Sequence, residues 1–378
     1  MRDLKKIGIF LSVDPRDTGG LESYAGTLCR GLQAKGYHVL LNGEPIERLH
    51  DISEIWDARI RKLLPLMTRP SLSWLAIGAA KLWGKKWCDR VVRDCDQVHF
   101  IGTGWNLIGF PLLKSCQKLR IPISCWAAIH PGQWGDSPLD KSFYRNLNKI
   151  FAATDYERRI LGSFGVAEDR LLTVGCAPTI DREGNGSGFI DKYEVESRFK
   201  ILFLGRKDSA KGYPKLRHAV ARLVDRYPQL VLISIGKSFN IEEVPLPKIH
   251  DLDLGMTDDQ TKQDALAACD VLCVPSSSES FGIVYTEAWA YGKPVICGSS
   301  PASQELISRH DGGLITDGSE REIANAIEAF ILNPDLRAIS GSSGQKAQKR
   351  FYNAEHLVEK HVEAWRLSNQ PFNSSKDL

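Results

Sequence analysis

Short apolar runs alternate with helical spacings of apolar residues in the first part of the chain. The apolar run at 7–13 is followed by a glycine pair, Gly19 and Gly20. Beyond this pair, apolar residues recur at intervals of three and four, at Leu21, Tyr24, Ala25, Leu28, Cys29 and Leu32. This spacing predicts an amphipathic helix, and the run YHVLL after it predicts a second strand. A strand, a helix and a strand in this order predict a parallel sheet.

The same pattern continues and then restarts at residue 200. Apolar runs that predict strands begin at residues 97, 122, 149 and 170, and again at 200, 230, 270 and 294. The stretch 180–199 between the two sets begins polar and glycine-rich, so we interpret it as an interdomain linker. Capping boxes are predicted at Thr154 with Glu157 and at Ser319 with Glu322. The fold predicted is two doubly wound α/β lobes, whose ligands bind beyond the carboxyl ends of the strands.

Composition narrows the class of protein. The chain has 378 residues, of which 43% are hydrophobic and 25% charged, as in an ordinary soluble protein of two domains. Its nine cysteines form no C-x-x-C pair, so we expect free thiols in a reducing compartment. The first apolar run is too short for a signal peptide and no stretch is long enough to span a membrane, which favours a cytoplasmic protein. A net charge of +3 without a binding motif argues against a nucleic-acid partner.

The segment PSSSESFGIVYTEAWAYGKPV (275–295) carries the strongest chemical signal. Glu279 follows a predicted strand, and the turn Phe281–Gly282 precedes a helix that begins near Ile283. Free backbone N–H groups at 282–284 favour an anion, and Gly282 allows a ligand to approach the backbone. Glu279 can accept hydrogen bonds from sugar hydroxyls, and Glu287 can accept two from a ribose diol.

Three other loops follow predicted strands and carry candidate groups. Arg206 and Lys211 share one loop, where two cations can neutralise a diphosphate as its charge grows. Gly19 and Gly20 allow close approach of phosphate to a helix N-terminus. His130 lies directly after the run at 122–129, whereas His99 lies within a strand and is expected to be structural.

These loops resemble the E-x7-E, G-R-x4-K and G-G elements of the retaining glycosyltransferases of family 4. The resemblance implies a GT-B fold, with an acceptor lobe at 1–177, a donor lobe at 178–350 and a final helix, 351–378, that crosses back to the first lobe. It implies that His130 contacts the donor hexose, although Pro131 follows where an acidic residue is usual. It also implies that the loops at Gly236 and Met256 frame the nucleotide base.

The resemblance implies transfer of a hexose from a UDP- or GDP-linked sugar to a glycan or lipid-linked acceptor, with retained anomeric configuration. No cofactor and no metal are expected, and the D-x-D pattern at 251–253 is a weak candidate for metal binding. Two alternatives stay open: an epimerase or hydrolase of nucleotide sugars on the same fold, and a catalytically silent partner that binds a nucleotide sugar.

The stretch 59–93 is strongly basic, with nine Lys and Arg residues opposed only by Asp89. Trp74, Trp83 and Trp87 interleave with its lysines, as in a helix that lies on anionic lipid. Peripheral contact with the inner face of the cell membrane would suit a lipid-linked acceptor. The same residues could instead cover the first sheet, or the tryptophans could stack on an acceptor sugar.

Overall fold

The computed structural model describes residues 4–11, 19–45, 84–178, 180, 183–239 and 245–367. The chain divides into two compact units, the first comprising Met1–Gly175 with Ala354–Leu378 and the second comprising Cys176–Asn353. The resemblance places the corresponding boundaries after residues 177 and 350. All nine cysteines are buried free thiols.

The first unit is a parallel α/β layer structure. Its described strands are β1 (Lys6–Leu11), β2 (His38–Leu41), β3 (Glu44–Pro45), β4 (Gln97–Ile101), β5 (Ile123–Trp126), β6 (Lys149–Ala152) and β7 (Leu171–Thr173). Its described helices are α1 (Gly20–Ala34), α2 (Gly109–Leu119), α3 (Pro138–Arg145) and α4 (Asp155–Ser163), with a helical segment at 84–92 and, from the C-terminus, α12 (Ala354–Leu367). The strand order is β3-β2-β1-β4-β5-β6-β7, and only the β2–β3 pair is antiparallel among these strands.

Helix α1 forms where the apolar spacing predicts it, and its buried side chains include Tyr24, Leu28 and Leu32. The C-terminal helix α12 packs on the same unit, because the Tyr24 hydroxyl lies 2.7 Å from Nε2 of His361. Trp365 of α12 donates its indole N–H to Oγ of Ser124 on β5 at 2.9 Å. These buried polar contacts join the end of the chain to its first helix and sheet.

The second unit repeats the architecture. Its described strands are β8 (Phe199–Leu204), β9 (Leu230–Ile235), β10 (Asp251–Gly255), β11 (Val271–Val274), β12 (Val295–Cys297) and β13 (Gly313–Ile315). Its described helices are α5 (Gly186–Tyr193), α6 (Tyr213–Ala221), α7 (Asp259–Ala268), α8 (Ile283–Ala290), α9 (Pro301–His310), α10 (Glu320–Leu332) and α11 (Pro334–Phe351). The strand order is β10-β9-β8-β11-β12-β13, and all pairs are parallel. The prediction of two doubly wound α/β lobes is confirmed.

The interpretation of 180–199 as a linker is wrong, because this stretch contains helix α5. Asn185 caps the helix by accepting the N–H of Gly188 at 2.9 Å. A Cβ at Gly184 would lie 2.3 Å from the carbonyl oxygen of Gln263, and one at Gly186 would lie 2.9 Å from the backbone of Ala267. The glycines that suggest flexibility therefore allow α5 to pack closely on α7.

Candidate functional site

The candidate donor site lies in the second unit at the point where the strand order reverses. β8 and β11 are adjacent in the sheet, so the loops beyond their carboxyl ends flank a crevice of the kind that binds ligands in doubly wound folds. The two loops are joined through one carbonyl, that of Ala210, which accepts from Ser277 N–H at 2.9 Å and from Ser276 Oγ at 3.1 Å. Gly212 has φ +73°, and a Cβ there would lie 2.3 Å from the carbonyl oxygen of Pro275. The close approach of these loops therefore requires glycine at this position.

Lys211 and Glu279, predicted independently on these two loops, form an ion pair. Nζ of Lys211 lies 2.5 Å from Oε1 of Glu279, with 21% of the lysine side chain and 7% of the glutamate side chain exposed. Asp208 Oδ1 accepts the N–H of Lys211 at 2.8 Å, and Ser300 Oγ accepts the N–H of Glu279 at 3.0 Å. The pair is thus held from both sides at the strand switch point. The sequence reasoning did not identify Ser300, which lies beyond the segment 275–295 and has no distinctive pattern around it.

Arg206 pairs with Asp208 and is largely exposed. Its Nε lies 3.3 Å from Asp208 Oδ2, more than half of the side chain is exposed, and the guanidinium lies 6.0 Å from the ring centroid of Phe239. The neighbouring Lys207, which sequence reasoning missed, is buried instead and forms a salt bridge with Asp253. Adjacent loop cations look alike in sequence, so only the structure tells which of them turns inward.

Glu287 lies one turn into α8 and is almost fully buried. Its Oε1 lies 3.0 Å from Nζ of Lys262, and 4% of its side chain is exposed. Burial raises the pKa of Glu287, and the positive charge of Lys262 opposes this effect. Sequence reasoning missed Lys262, because its position three residues after the start of α7 gives no hint of a partner on another helix. Glu287, which was predicted to accept hydrogen bonds from a ribose, is therefore already paired with the Lys262 ammonium group.

The turn before α8 combines a left-handed glycine with a buried aromatic residue. Gly282 is the N-cap of α8 with φ +83°, and a Cβ there would lie 2.4 Å from the ring of Tyr285. The side chain of Phe281 is buried and its ring packs edge-on against Tyr352 at 5.5 Å. Gly282 and Ile283 therefore place their backbone N–H groups at the helix end, while the Phe281 side chain contributes to the core.

The residues predicted to frame the base lie after β9 and β10. Gly236 has φ +139°, and a Cβ there would lie 1.9 Å from the carbonyl oxygen of Gly205. Its N–H donates to the carbonyl of Gly255 at 2.7 Å. The side chain of Met256 is 61% exposed. Packing of three parallel strand ends thus accounts for Gly236, and Met256 presents an apolar side chain beside them.

The acidic pair at 251–253 is engaged in ion pairs. Asp251 accepts two hydrogen bonds from Arg217, each of 2.9 Å, and Asp253 pairs with Lys207. In the part of the chain that the structure describes, no group of three or more His, Cys, Asp or Glu could hold a metal ion. The pattern at 251–253 is accounted for by these two cations.

In the first unit, two of the predicted residues open α1 and a third lies after β5. Gly19 is the N-cap of α1 with an extended backbone, and a Cβ at Gly20 would meet no atom within 4 Å. Packing therefore does not require glycine at position 20. His130 begins a tight turn, in which it and Trp134 exchange backbone hydrogen bonds of 3.1 and 3.0 Å.

The predicted capping box at Thr154 is only half formed. Thr154 Oγ1 accepts the N–H of Glu157 at 3.1 Å, as in a box. The Glu157 carboxylate does not reach back to Thr154 but accepts the N–H groups of Ala153 and Ile129, each at 2.6 Å. Burial raises the pKa of Glu157 to about 7, and these two N–H groups act in the opposite direction. Glu157 therefore holds the backbone immediately before His130.

Replacing Glu157 with Gln is expected to lower the free energy of unfolding by about 1–3 kcal/mol, because an amide has one acceptor oxygen and its NH₂ group then opposes a buried N–H. Urea denaturation at neutral pH measures this change. Glu168→Gln is the control, since Glu168 lies at the surface against Arg158 and its loss is expected to cost at most about 1 kcal/mol. Equal stability of Glu157→Gln and the parent protein would show that the second N–H does not need the carboxylate.

The basic stretch 59–93 is described only from residue 84 onward, so Trp74 and Trp83 lie outside the described residues. Trp87 is buried, and its ring packs edge-on against Phe10 at 6.2 Å. Of the alternatives left open for this stretch, Trp87 therefore fits the one in which its residues cover the first sheet. No helix in the described part of the chain is long and apolar enough to cross a membrane.

Lys211, Glu279 and Glu287 all lie in a region that matches a known protein family. Residues 189–347 match the family model of glycosyl transferases, group 1. This part of the chain is therefore similar to the group 1 glycosyl transferases. The match lies within the second unit and contains the strand switch point.

Curated relatives are also glycosyltransferases. The phosphatidyl-myo-inositol mannosyltransferase of Mycolicibacterium smegmatis is 33% identical over 157 residues, which cover 39% of this chain and 40% of the relative. D-inositol 3-phosphate glycosyltransferase 1 of Catenulispora acidiphila is 27% identical over 357 residues, or 84% of each chain. The chain spans about half the length, or less, of the relatives that match it first.

The fold has solved counterparts over nearly the whole chain. The crystal structure of Anabaena HepE in complex with UDP and glucose superposes with a TM-score of 0.70 at 16% sequence identity, and covers 96% of this chain and 99% of that one. At this identity the likeness concerns the fold alone, which is the GT-B fold.

Proposed function

We propose that this protein is a retaining glycosyltransferase. It transfers a hexose from a UDP- or GDP-linked sugar to a hydroxyl of a glycan or lipid-linked acceptor. The observation that carries the proposal is the Lys211–Glu279 ion pair at the strand switch point of the region that matches the group 1 glycosyl transferase model. A cation and a carboxylate held side by side there suit a ligand that is anionic at one end and hydroxylated at the other.

In this proposal each predicted group has one task. Lys211 neutralises the diphosphate, with Arg206 turning from Asp208 to assist, because both cations follow β8. Glu279 and His130 orient the hexose, and Glu287 accepts the ribose hydroxyls beside Lys262. The backbone N–H groups at Gly20 and at Gly282 and Ile283 receive phosphate oxygens at helix N-termini.

The reaction exchanges one bond at the anomeric carbon for another. The bond from this carbon to the diphosphate oxygen breaks, and its electron pair leaves with the nucleoside diphosphate. The acceptor oxygen bonds to the same face of the carbon, and its proton passes to the departing phosphate oxygen. Among the described residues of the candidate site, no side chain is an evident covalent nucleophile, which favours this front-face course and retained configuration.

The rest of the proposal concerns the metal requirement, the location of the protein and its acceptor. The reaction proceeds without a metal, because Lys211, Arg206 and helix N-termini supply the positive charge. The protein works in the cytoplasm, at the inner face of the membrane where its acceptor is lipid-linked. The names of the inositol-lipid mannosyltransferase relatives favour such an acceptor.

Calorimetric titration with UDP, GDP and ADP tests the donor site. We expect one nucleotide to bind, and Glu287→Ala to weaken that binding by about 10–100-fold, since charged hydrogen bonds to the ribose are lost. The matched control is Glu328→Ala, because Glu328 lies on α10 and pairs with Arg226. Its affinity for the nucleotide is expected to equal that of the parent protein.

This titration, together with a measurement of nucleotide-sugar turnover, separates the alternatives. Absence of binding by all three nucleotides would contradict the donor-site assignment and leave the fold alone. Binding of a nucleotide without any turnover of its sugars would favour a silent partner. Conversion of the nucleotide sugar at a rate that no acceptor increases would favour an epimerase or hydrolase.

A further inference from the structure

An exposed tryptophan lies four residues after His130 in the first unit. Trp134 belongs to the loop between β5 and α3, and its side chain is 47% exposed. Tryptophan is usually largely buried, because its indole offers a large apolar surface. A half-exposed indole directly beyond the carboxyl end of a central strand is therefore placed where a ligand can reach it.

The indole is held in one orientation despite its exposure. Trp134 and His130 exchange two backbone hydrogen bonds, and the indole Nε1 donates to the carbonyl of Ala128 at 3.0 Å. The imidazole of His130 packs on the indole with ring centroids 4.0 Å apart. Gly132 closes the turn with φ +77°, and its N–H donates to Oδ2 of Asp136 at 2.7 Å. Hydrogen bonds and ring contact thus remove the freedom that an exposed side chain would otherwise keep.

The base of this turn is equally constrained. Ala128 has φ +49°, which is unfavourable for a residue with a Cβ, and the next N–H, that of Ile129, is held by the buried Glu157 carboxylate. A Cβ at Gly135 would lie 3.3 Å from Cγ2 of Thr103 in the loop after β4. That loop carries a second exposed indole, Trp105, at 38% exposure. Two neighbouring strands therefore present tryptophan at the same edge of the sheet.

We propose that the turn His130–Trp134 is a stacking platform for the six-membered polyol ring of the acceptor. This inference rests on the proposed function. A pyranose or a cyclitol has a face of C–H groups that packs on an indole, while its hydroxyls lie at the rim. Asp136 lies two residues beyond this turn, is hydrogen-bonded to Gly132 within it, and can accept hydrogen bonds from those hydroxyls. A preorganised indole loses little conformational entropy on binding, which is the advantage of holding it rigidly at the surface.

The observations favour a ring over a lipid surface. Indoles at a bilayer interface direct their N–H toward water and headgroups, but the N–H of Trp134 is already bound to Ala128. The carboxylate of Asp136 is hydrogen-bonded to this turn, and anionic lipid would repel it. Binding to vesicles is nevertheless measured as an outcome that would overturn the proposal.

Saturation-transfer NMR on the full-length protein tests the platform. The probes are methyl α-mannopyranoside, myo-inositol and the acyclic polyol sorbitol. Each probe is added together with a 2-fluoro analogue of the nucleotide sugar, which occupies the donor position. The nucleotide of this analogue is the one that binds in the calorimetric titration. We expect signal at the ring C–H protons of the mannoside, the inositol or both, and none from sorbitol. Trp134→Ala should weaken ring binding by about tenfold, and Trp134→Phe should retain most of it.

The two ring probes distinguish a glycan acceptor from an inositol acceptor. Phe351→Ala is the matched control, because Phe351 is an exposed aromatic residue of the other unit and ring binding should be unchanged. Nucleotide affinity of Trp134→Ala should equal that of the parent protein, and its loss would overturn the platform because the indole would then serve the nucleotide site. Binding of no nucleotide by the parent protein would count against the donor site instead. Ring binding unchanged by Trp134→Ala, no ring binding at all, or Trp134-dependent binding to vesicles of phosphatidylcholine with phosphatidylglycerol would overturn the platform.

Discussion

Replacing Lys211 with Met is expected to slow cleavage of the bond between the hexose and the nucleoside diphosphate by about 10²–10³-fold. This is the usual effect of removing one preorganised group that stabilises a departing anion. Nζ of Lys211 is held within 2.5 Å of Glu279 and close to the end of β8, so no reorganisation is needed as charge develops on the diphosphate. Steady-state turnover of the nucleotide sugar, with and without acceptor, measures kcat directly. Most of the loss is expected in kcat rather than KM, because the charge grows in the transition state.

The variant also leaves the buried Glu279 carboxylate without its cation, which by itself could destabilise the protein. Lys200→Met is the matched control for this effect. Lys200 is buried and lies 3.1 Å from Asp270, but it is at the amino end of β8, at the opposite edge of the same sheet. A comparable loss of stability without a change in kcat is expected there. Equal loss of kcat in both variants would mean that Lys211 supports the fold rather than the reaction.

The sequence predicts the architecture well because buried parallel strands are nearly continuous apolar runs. The runs at 97, 149 and 200 became β4, β6 and β8 with few boundary errors. The prediction failed at 180–199, where glycine is used for close helix packing rather than for freedom. Glycine has both uses, and the choice here depends on α7, whose Asp264 lies 79 residues beyond Asn185 along the chain.

Part of the candidate site is also predictable from the sequence, because the strands that precede its residues are recognisable as apolar runs. Spacing places Lys211 and Glu279 after two strands, and the reversal of strand order then brings them together. Spacing carries no information on which cation turns inward, so Lys207 and Lys262 were missed. Nor does it tell where a carboxylate points, which is why Glu157 was predicted as a cap and instead holds the backbone before His130.

A buried pair of histidines in the first unit makes its stability sensitive to acid. His99, expected to be structural, is fully buried on β4, and its imidazole lies 5.2 Å from that of His361 on α12. Nδ1 of His361 lies 2.7 Å from the carbonyl of Leu357 and so donates to it, which leaves Nε2 to accept from the Tyr24 hydroxyl at 2.7 Å. Burial lowers the pKa of His361 to about 4, and burial together with His361 lowers that of His99 well below its usual value.

Each neutral histidine binds fewer protons in the folded state than in the unfolded state below pH 6.5. Stability is therefore complete above the unfolded pKa and is lost as the pH falls toward the folded pKa. For His361 the loss is about 1.4 kcal/mol per pH unit, or about 3 kcal/mol between pH 6.5 and 4. Glu157 acts in the opposite sense, because its pKa is raised to about 7 and its contribution is lost as the pH rises.

Replacing His361 with Gln is expected to remove the contribution of one titrating group to the pH dependence of the free energy of unfolding. The free energy of unfolding, measured by urea denaturation from pH 4.5 to 6.5, should change less steeply than in the parent protein by about 1.4 kcal/mol per pH unit. Glu157→Gln should make the dependence steeper by a similar amount, since the opposing proton is then absent. His38→Gln is the control, because His38 is exposed at the start of β2 and the slope should not change. An unchanged slope in His361→Gln would mean that His361 takes up its proton in the folded protein, and the contact between α12 and Tyr24 would then have to accommodate a charged imidazole.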